Sequence, residues 1–191
     1  EIGKPKVLYK TSYVESKSDD FVVVDGVKLT SRILRINFDK VYRVFPYIVT
    51  CGTELEHWSK TIDGILESYW VDGIKEMALG EAMKAFNTHL KENFHPGSLS
   101  SMNPGSLEDW PISQQTALFR ILGNPKDSIG VELTDSYLMI PMKSVSGIRF
   151  PTDVSFENCQ LCTRERCPGR RAPYDGGLLK SYKTNTCIGQ K

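Results

Sequence analysis

Apolar residues come in short blocks over the first part of the chain and at helical intervals through its middle. Val7 to Tyr9, Phe21 to Val24 and Val27 to Leu29 read as strands, and the Asp25-Gly26 pair between the last two predicts a tight turn. Thr30 or Ser31 is placed to open a short helical segment holding Ile33 and Leu34. Tyr42 to Thr50 (YRVFPYIVT) is rich in β-branched and aromatic residues, as suits a strand. Its Pro46 has no N–H to donate, which favours an edge position or a bulge over a central one.

From Thr53 to about Asn93 the positions Leu55, Trp58, Ile62, Ile65, Leu66, Tyr69 and Trp70 recur at helical spacing, and Ile74, Met77, Ala78, Met83, Phe86 and Leu90 continue it. Two helices are predicted, or one broken near Thr61 to Gly64, with His95-Pro96-Gly97 as the stop. The aromatic stripe Trp58, Tyr69 and Trp70 is expected to face the core. A loop rich in Ser, Gly and Pro then runs to Trp110. Ser113 to Leu122 reads as a helix stopped by Gly123, and Val131 to Thr134, Tyr137 to Ile140 and Ser144 to Phe150 read as strands. Strands, long helices, a loop, a helix and strands again predict an α+β domain, not a repeated βαβ fold.

With 191 residues, 40% of them hydrophobic and 25% charged, the chain can bury one core and carry a tail. The core pattern occupies residues 1–150, and residues 151–191 are mainly polar, Gly, Pro and Cys. The 24 basic and 23 acidic residues leave a net charge of +1, which provides no field favouring nucleic acid or an anionic membrane. No apolar run approaches the roughly 20 residues that span a bilayer. Glu1 to Lys10 lack the apolar region of a signal peptide, so a cytoplasmic protein is expected.

Cysteine changes this picture. Of five cysteines, four fall in the last 33 residues, at Cys159, Cys162, Cys167 and Cys187. Two sulfurs separated by two residues can meet one metal from a tight turn, and Cys167 can close the site. Cys187 or Cys51 is the candidate fourth ligand. An iron–sulfur cluster and zinc both fit the spacing, which is not the Cys-x3-Cys-x2-Cys triad of radical enzymes. Arg164, Arg166, Arg170 and Arg171 crowd the same stretch against Glu165, either as a cationic patch lowering thiolate pKa values and meeting an acidic partner, or as a solvated basic tail.

Three segments in order resemble the activation module of vitamin B12-dependent methionine synthase. They are Val49 to Leu55 (VTCGTEL); Asn103-Pro104-Gly105 with the following helix Gln114 to Leu122 and Ile129 to Ser136; and Met139 to Gly147 (MIPMKSVSG), with its Ser144-Val145-Ser146-Gly147 signature. The resemblance implies an unusual α+β domain around a twisted antiparallel sheet, with a cysteine-rich C-terminal tail added here. It also implies an accessory role for a corrinoid-dependent methyltransferase, in which S-adenosylmethionine is held beside the partner's cobalamin. The inactive oxidised cobalamin is restored there by coupling a one-electron reduction to methylation. A corrinoid-binding protein or methyltransferase and an electron donor are the implied partners. The resemblance places cofactor contacts at Asn103, Pro104, Gly105 and Ser106. Where the family's loop reads Arg-x-x-Pro-Gly-Tyr, however, this chain has Ser101 and Ser106, which supply neither a bidentate carboxylate contact nor an aromatic face. The alternative is an iron–sulfur or zinc module for electron transfer or structure that has lost S-adenosylmethionine.

Other residues attract blander readings. His57, His89 and His95 share no ligand spacing, and Glu54, Glu56, Glu108 and Asp109 are placed to satisfy backbone donors. Ser144 and Ser146 have no adjacent base, and neither a Walker loop nor a dinucleotide fingerprint is present.

Overall fold

The computed structural model describes residues 2–153 and 156–184. Nine strands are described there: β1 (Lys6–Tyr9), β2 (Ser12–Lys17), β3 (Phe21–Val24), β4 (Val27–Thr30), β5 (Arg43–Thr50), β6 (Leu99–Met102), β7 (Glu132–Leu133), β8 (Met139–Ile140) and β9 (Ser144–Pro151). The helices are α1 (Arg32–Asn37), α2 (Thr53–Ser59), α3 (Ile65–Phe94), α4 (Gln115–Leu122), α5 (Pro125–Ile129) and α6 (Gly176–Thr184). The fold is α+β, with a main sheet ordered β4-β3-β2-β5-β9-β6 in which every pairing is antiparallel, and with β1 also on β5.

The sheet buries both faces. Alternation along β5 sends Phe45, Tyr47 and Val49 toward Ala82, Phe86 and Leu90 of α3. Val44 and Ile48 point the other way, into a larger core with Leu118, Ile121, Ile148, Phe150 and Trp110. Beyond residue 150, Phe156, Leu161 and Tyr182 fill that same larger core, and Glu157 bridges in parallel to Ser101 at the β6 edge.

Several expectations meet the structure directly. Asp25 and Gly26 form the tight turn with positive φ at both residues, Ser31 caps α1 through Leu34 N–H, and the helical region breaks between Ser59 and Ile65. Asp109 does satisfy a backbone donor, accepting from Ile33 N–H at 2.9 Å across the fold, and it also accepts from the Ser31 hydroxyl. Glu56 does not. It forms a buried ion pair with Lys75 at 3.1 Å, the two side chains each 11% exposed.

Two expectations are corrected. Pro46 lies in a central strand, paired with Ile148 of β9. On its other side its carbonyl accepts from Lys10, where the chain breaks between β1 and β2, so the missing N–H falls opposite a gap in the ladder. Most of the aromatic stripe is not core: Trp58 is half-buried, but Tyr69 and Trp70 are 75% and 57% exposed, and the neighbouring Ile65 and Met77 are 95% and 64% exposed. Only Val71 and Lys75 are buried in this half of α3, whereas Ala82, Phe86 and Leu90 of its second half pack on β5. The sequence pattern also overlooked β2, β6, α5 and α6.

Docking of α6 depends on Tyr182, whose hydroxyl donates to Asn37 Oδ1 at 2.6 Å while its ring tilts against Phe156. Burial pushes the phenol pKa up to about 12. The folded value is raised, so this contribution is complete below the ordinary tyrosine pKa of about 10 and is lost as pH rises through the folded value. Tyr182→Phe should cost roughly 1 kcal/mol at neutral pH, through the lost hydrogen bond. It should also shrink the fall in melting temperature between about pH 8 and about pH 11. An equal fall in both proteins would contradict this.

Candidate functional site

β5, β9 and β6 lie side by side, and the segment after β6 turns back over them. The turn uses Pro104 followed by Gly105 at φ +82°, and Ser106 N–H closes it onto the Asn103 carbonyl at 3.1 Å. Proline sets the first central position and glycine accepts the positive φ of the second. The Asn103 amide donates to the Ser146 carbonyl at 2.7 Å and to Tyr47 Oη at 3.0 Å, and its oxygen accepts from Asn158 at 3.2 Å. Tyr47 Oη also lies 3.2 Å from Ser101 Oγ, where either hydroxyl can donate to the other. Ser146 Oγ in turn donates to Gln115 Oε1 at 2.6 Å.

Gly147 makes this network possible. A Cβ there would stand 2.5 Å from both Asn103 Nδ2 and the Met102 carbonyl, and 3.0 Å from Tyr47 Oη. The glycine of the Ser144 to Gly147 signature therefore keeps room for the Asn103 turn to close on β9.

The network forms the floor of a cavity of about 330 Å³, which Asn103, Pro104 and Ser106 line together with Tyr47, Gln115 and the β9 residues Ser144 to Ser146. Three of the four residues proposed from the sequence as cofactor contacts thus share one cavity, while Gly105 shapes the turn. Asn103 has its amide committed to neighbours, so its part is to position the turn. Sequence reasoning missed Tyr47, Gln115 and Arg149, and it placed Arg171 only in the cationic patch beside the cysteines, yet all four line the same space. The period of two along β5 and β9 was the available signal for Tyr47 and Arg149.

Among the described residues no group of three or more His, Cys, Asp or Glu side chains is placed to hold a metal ion. Cys159, Cys162 and Cys167 are free and partly exposed, and Cys187 lies outside the described residues. Cys51 is fully buried at the end of β5, its thiol directed at the Gly52 carbonyl and its pKa raised by burial.

The loop around Cys159 is nonetheless well ordered by hydrogen bonds. Arg170 donates to the carbonyls of Cys159 (3.0 Å), Ala172 (3.2 Å) and Cys162 (3.2 Å), and also to that of Arg164. Arg171 N–H meets Cys159 Sγ at 3.4 Å. That N–H, with the one of Ala172, holds the Cys159 thiol below its ordinary pKa. Arg170 is therefore a clamp on its own loop, whereas the Arg171 side chain pairs with Glu157 at 3.1 Å and reaches the cavity.

No family model and no curated protein sequence matches this chain. Among solved structures, the MetH reactivation domain bound to AdoHcy (S-adenosylhomocysteine) matches over 82% of this chain with a TM-score of 0.60 and 14% identity. The two share a fold. The match spans 61% of the MetH chain's length.

Gly147→Ala should force β9 and the Asn103 turn apart at a cost of roughly 1–3 kcal/mol, as for overpacking in a tight interior. Chemical denaturation would show this, and an unchanged midpoint would mean that the turn relaxes freely. Of the described cysteines, Cys159 should be alkylated first as pH rises, and Cys51 last in the folded state. Mass mapping of iodoacetamide-labelled protein checks the order.

Proposed function

We propose that this chain is an accessory protein for a corrinoid-dependent methyltransferase, holding an S-adenosylmethionine-type ligand in the cavity above β5, β9 and β6 while the partner's cobalamin is reductively reactivated. Its partners on this reading are a corrinoid-binding protein or methyltransferase and an electron donor, in the cytoplasm. The observation that carries it is the position of the Pro104-Gly105 turn. This turn walls a ligand-sized cavity on a fold shared with a MetH reactivation domain whose structure is bound to AdoHcy.

The residues present suit such a ligand. Met83, Met139 and Val145 provide apolar wall, Tyr47 provides a ring, and Ser106, Gln115 and Ser144 bring polar groups. S-adenosylmethionine, when bound, supplies the methyl group whose transfer draws an unfavourable reduction forward. This chain's own part is to bind, orient and shield the ligand. Among the described residues no carboxylate lines the cavity, so the positive sulfonium finds no full counter-charge in its wall.

Isothermal calorimetry with S-adenosylmethionine and S-adenosylhomocysteine tests the reading. Dissociation constants in the range of about 10 µM to 1 mM are expected, with S-adenosylhomocysteine bound at least as tightly as S-adenosylmethionine. No heat from either ligand up to about millimolar concentration would sink it.

A second reading makes the cysteine loop an iron–sulfur or zinc module of electron-transfer or structural kind. The Arg170 clamp and the N–H directed at Cys159 Sγ favour it, since a presented thiolate is what a metal needs. The described residues supply no complete ligand set, so no step is drawn through a metal. Anaerobically purified protein with stoichiometric iron and a visible band bleached by dithionite would support the cluster. Zinc without the band would leave a structural site, and neither metal would remove this reading.

A further inference from the structure

The cavity wall is electrostatically one-sided. Among the described residues its charged lining groups are Arg149 and Arg171, with no Asp or Glu. Arg171 is partly neutralised by Glu157. Arg149 is not neutralised. Its Nε is buried with no hydrogen-bond partner, and one terminal nitrogen meets only the Met83 sulfur, at 3.6 Å. The guanidinium lies over the Tyr47 ring, 5.8 Å from the centroid. Among the described residues no carboxylate pairs with it. A half-buried guanidinium with an idle donor is costly unless an anion completes it.

The two arginines come from different parts of the chain. Arg149 stands on β9 opposite Ser101 of β6, so it rises from the sheet beneath the cavity. Arg171 comes from the cysteine loop, which fixes its backbone through the N–H at Cys159 Sγ. Around them are neutral hydrogen-bonding groups, Ser106, Gln115 and Ser144. Arginine is the side chain whose planar fork matches a carboxylate with two parallel donors, and a partly dry wall strengthens that contact.

We infer that Arg149 and Arg171 form a carboxylate subsite in the cavity, which takes the amino-acid end of the ligand, with Arg149 as the principal contact. This rests on the ligand reading above and specifies which residues choose the ligand's charged end. It also makes the bound ligand a strut between the sheet and the cysteine loop.

The test separates the subsite from the adenosyl ligand. The Arg149 Nε–Hε resonance is followed in the full chain, assigned by its loss in Arg149→Gln, during titration with S-adenosylhomocysteine, L-methionine and L-methioninol. In parallel, calorimetry compares S-adenosylhomocysteine with its decarboxylated analogue. Expected are a saturable shift with S-adenosylhomocysteine and methionine but not with methioninol, and a loss of about tenfold or more in affinity on removing the carboxylate. Arg149→Gln should abolish that discrimination, and Arg171→Gln, away from the sheet, should reduce it without affecting folding. A shift with methionine but none with S-adenosylhomocysteine would uphold the subsite and remove the adenosyl ligand. Equal responses to methionine and methioninol, no response to any of the three compounds, or undiminished discrimination in a folded Arg149→Gln protein would overturn the subsite.

Discussion

β5 and β9 pair over six residues, Phe45 with Arg149 through Thr50 with Ser144, and both cores and the cavity depend on that pairing. β5 is the strand that places Phe45, Tyr47 and Val49 under α3 and Val44 and Ile48 in the opposite core. β9 carries Gly147, whose missing side chain lets the Tyr47 hydroxyl and the Asn103 amide meet above the sheet. A slip of one residue between these strands would exchange the two faces of β9. It would bring Ile148 to the Asn103 turn and send Arg149 into the apolar core. The apolar run of β5 and the core positions Ile148 and Phe150 of β9 therefore specify the register of the site as well as the core.

The cavity is then a by-product of close approach at one place and absence of cover at the next. Asn103 spends its amide on Ser146, Tyr47 and Asn158, which pins the turn from three sides. Gln115, at the start of α4, is likewise held between the Ser146 hydroxyl and the Tyr137 carbonyl, so the polar groups left for a ligand come from Ser106 past the turn and from the arginines. Among these groups only Arg149 combines a full charge with an unpartnered buried donor.

Local chemistry was the part that the sequence made plain. Asp25-Gly26, Ser31 at the start of α1, the break before Ile65 and the stop at His95 are all decided within a few residues, so propensity and capping reveal them. β6 was hidden because its residues, Leu99 to Met102, are mostly small and polar, and its pairing with β9 is a long-range event. α6 was hidden by its two leading glycines, and its docking rests on Tyr182 reaching Asn37. The stripe on α3 misled for a related reason: periodicity reports that a helix has an apolar side and cannot report how far the sheet extends beneath it. At the site, the Pro104-Gly105 pair was read correctly as a turn and Ser101 and Ser106 as lacking a cation, but Ser101 and Met102 belong to β6 and not to the loop. The nearest arginine stands directly across the ladder from Ser101, a neighbourhood that exists only once β6 is recognised as a strand.

The cysteine loop and the cavity share Arg171, and that ties the two functional readings together mechanically. Its N–H points at Cys159 Sγ while its side chain pairs with Glu157 and lines the cavity. Replacing Cys159 therefore removes a sulfur and at the same time frees the backbone that aims one of the two cavity cations. A change in ligand affinity after such a replacement has a purely geometric explanation and says nothing about a metal. The converse does not hold: Arg149 has no contact with the cysteine loop among its described interactions, so its effect on a ligand is independent of the sulfur chemistry. Arg149 is for that reason the residue through which binding in the cavity can be judged without deciding what the cysteines hold.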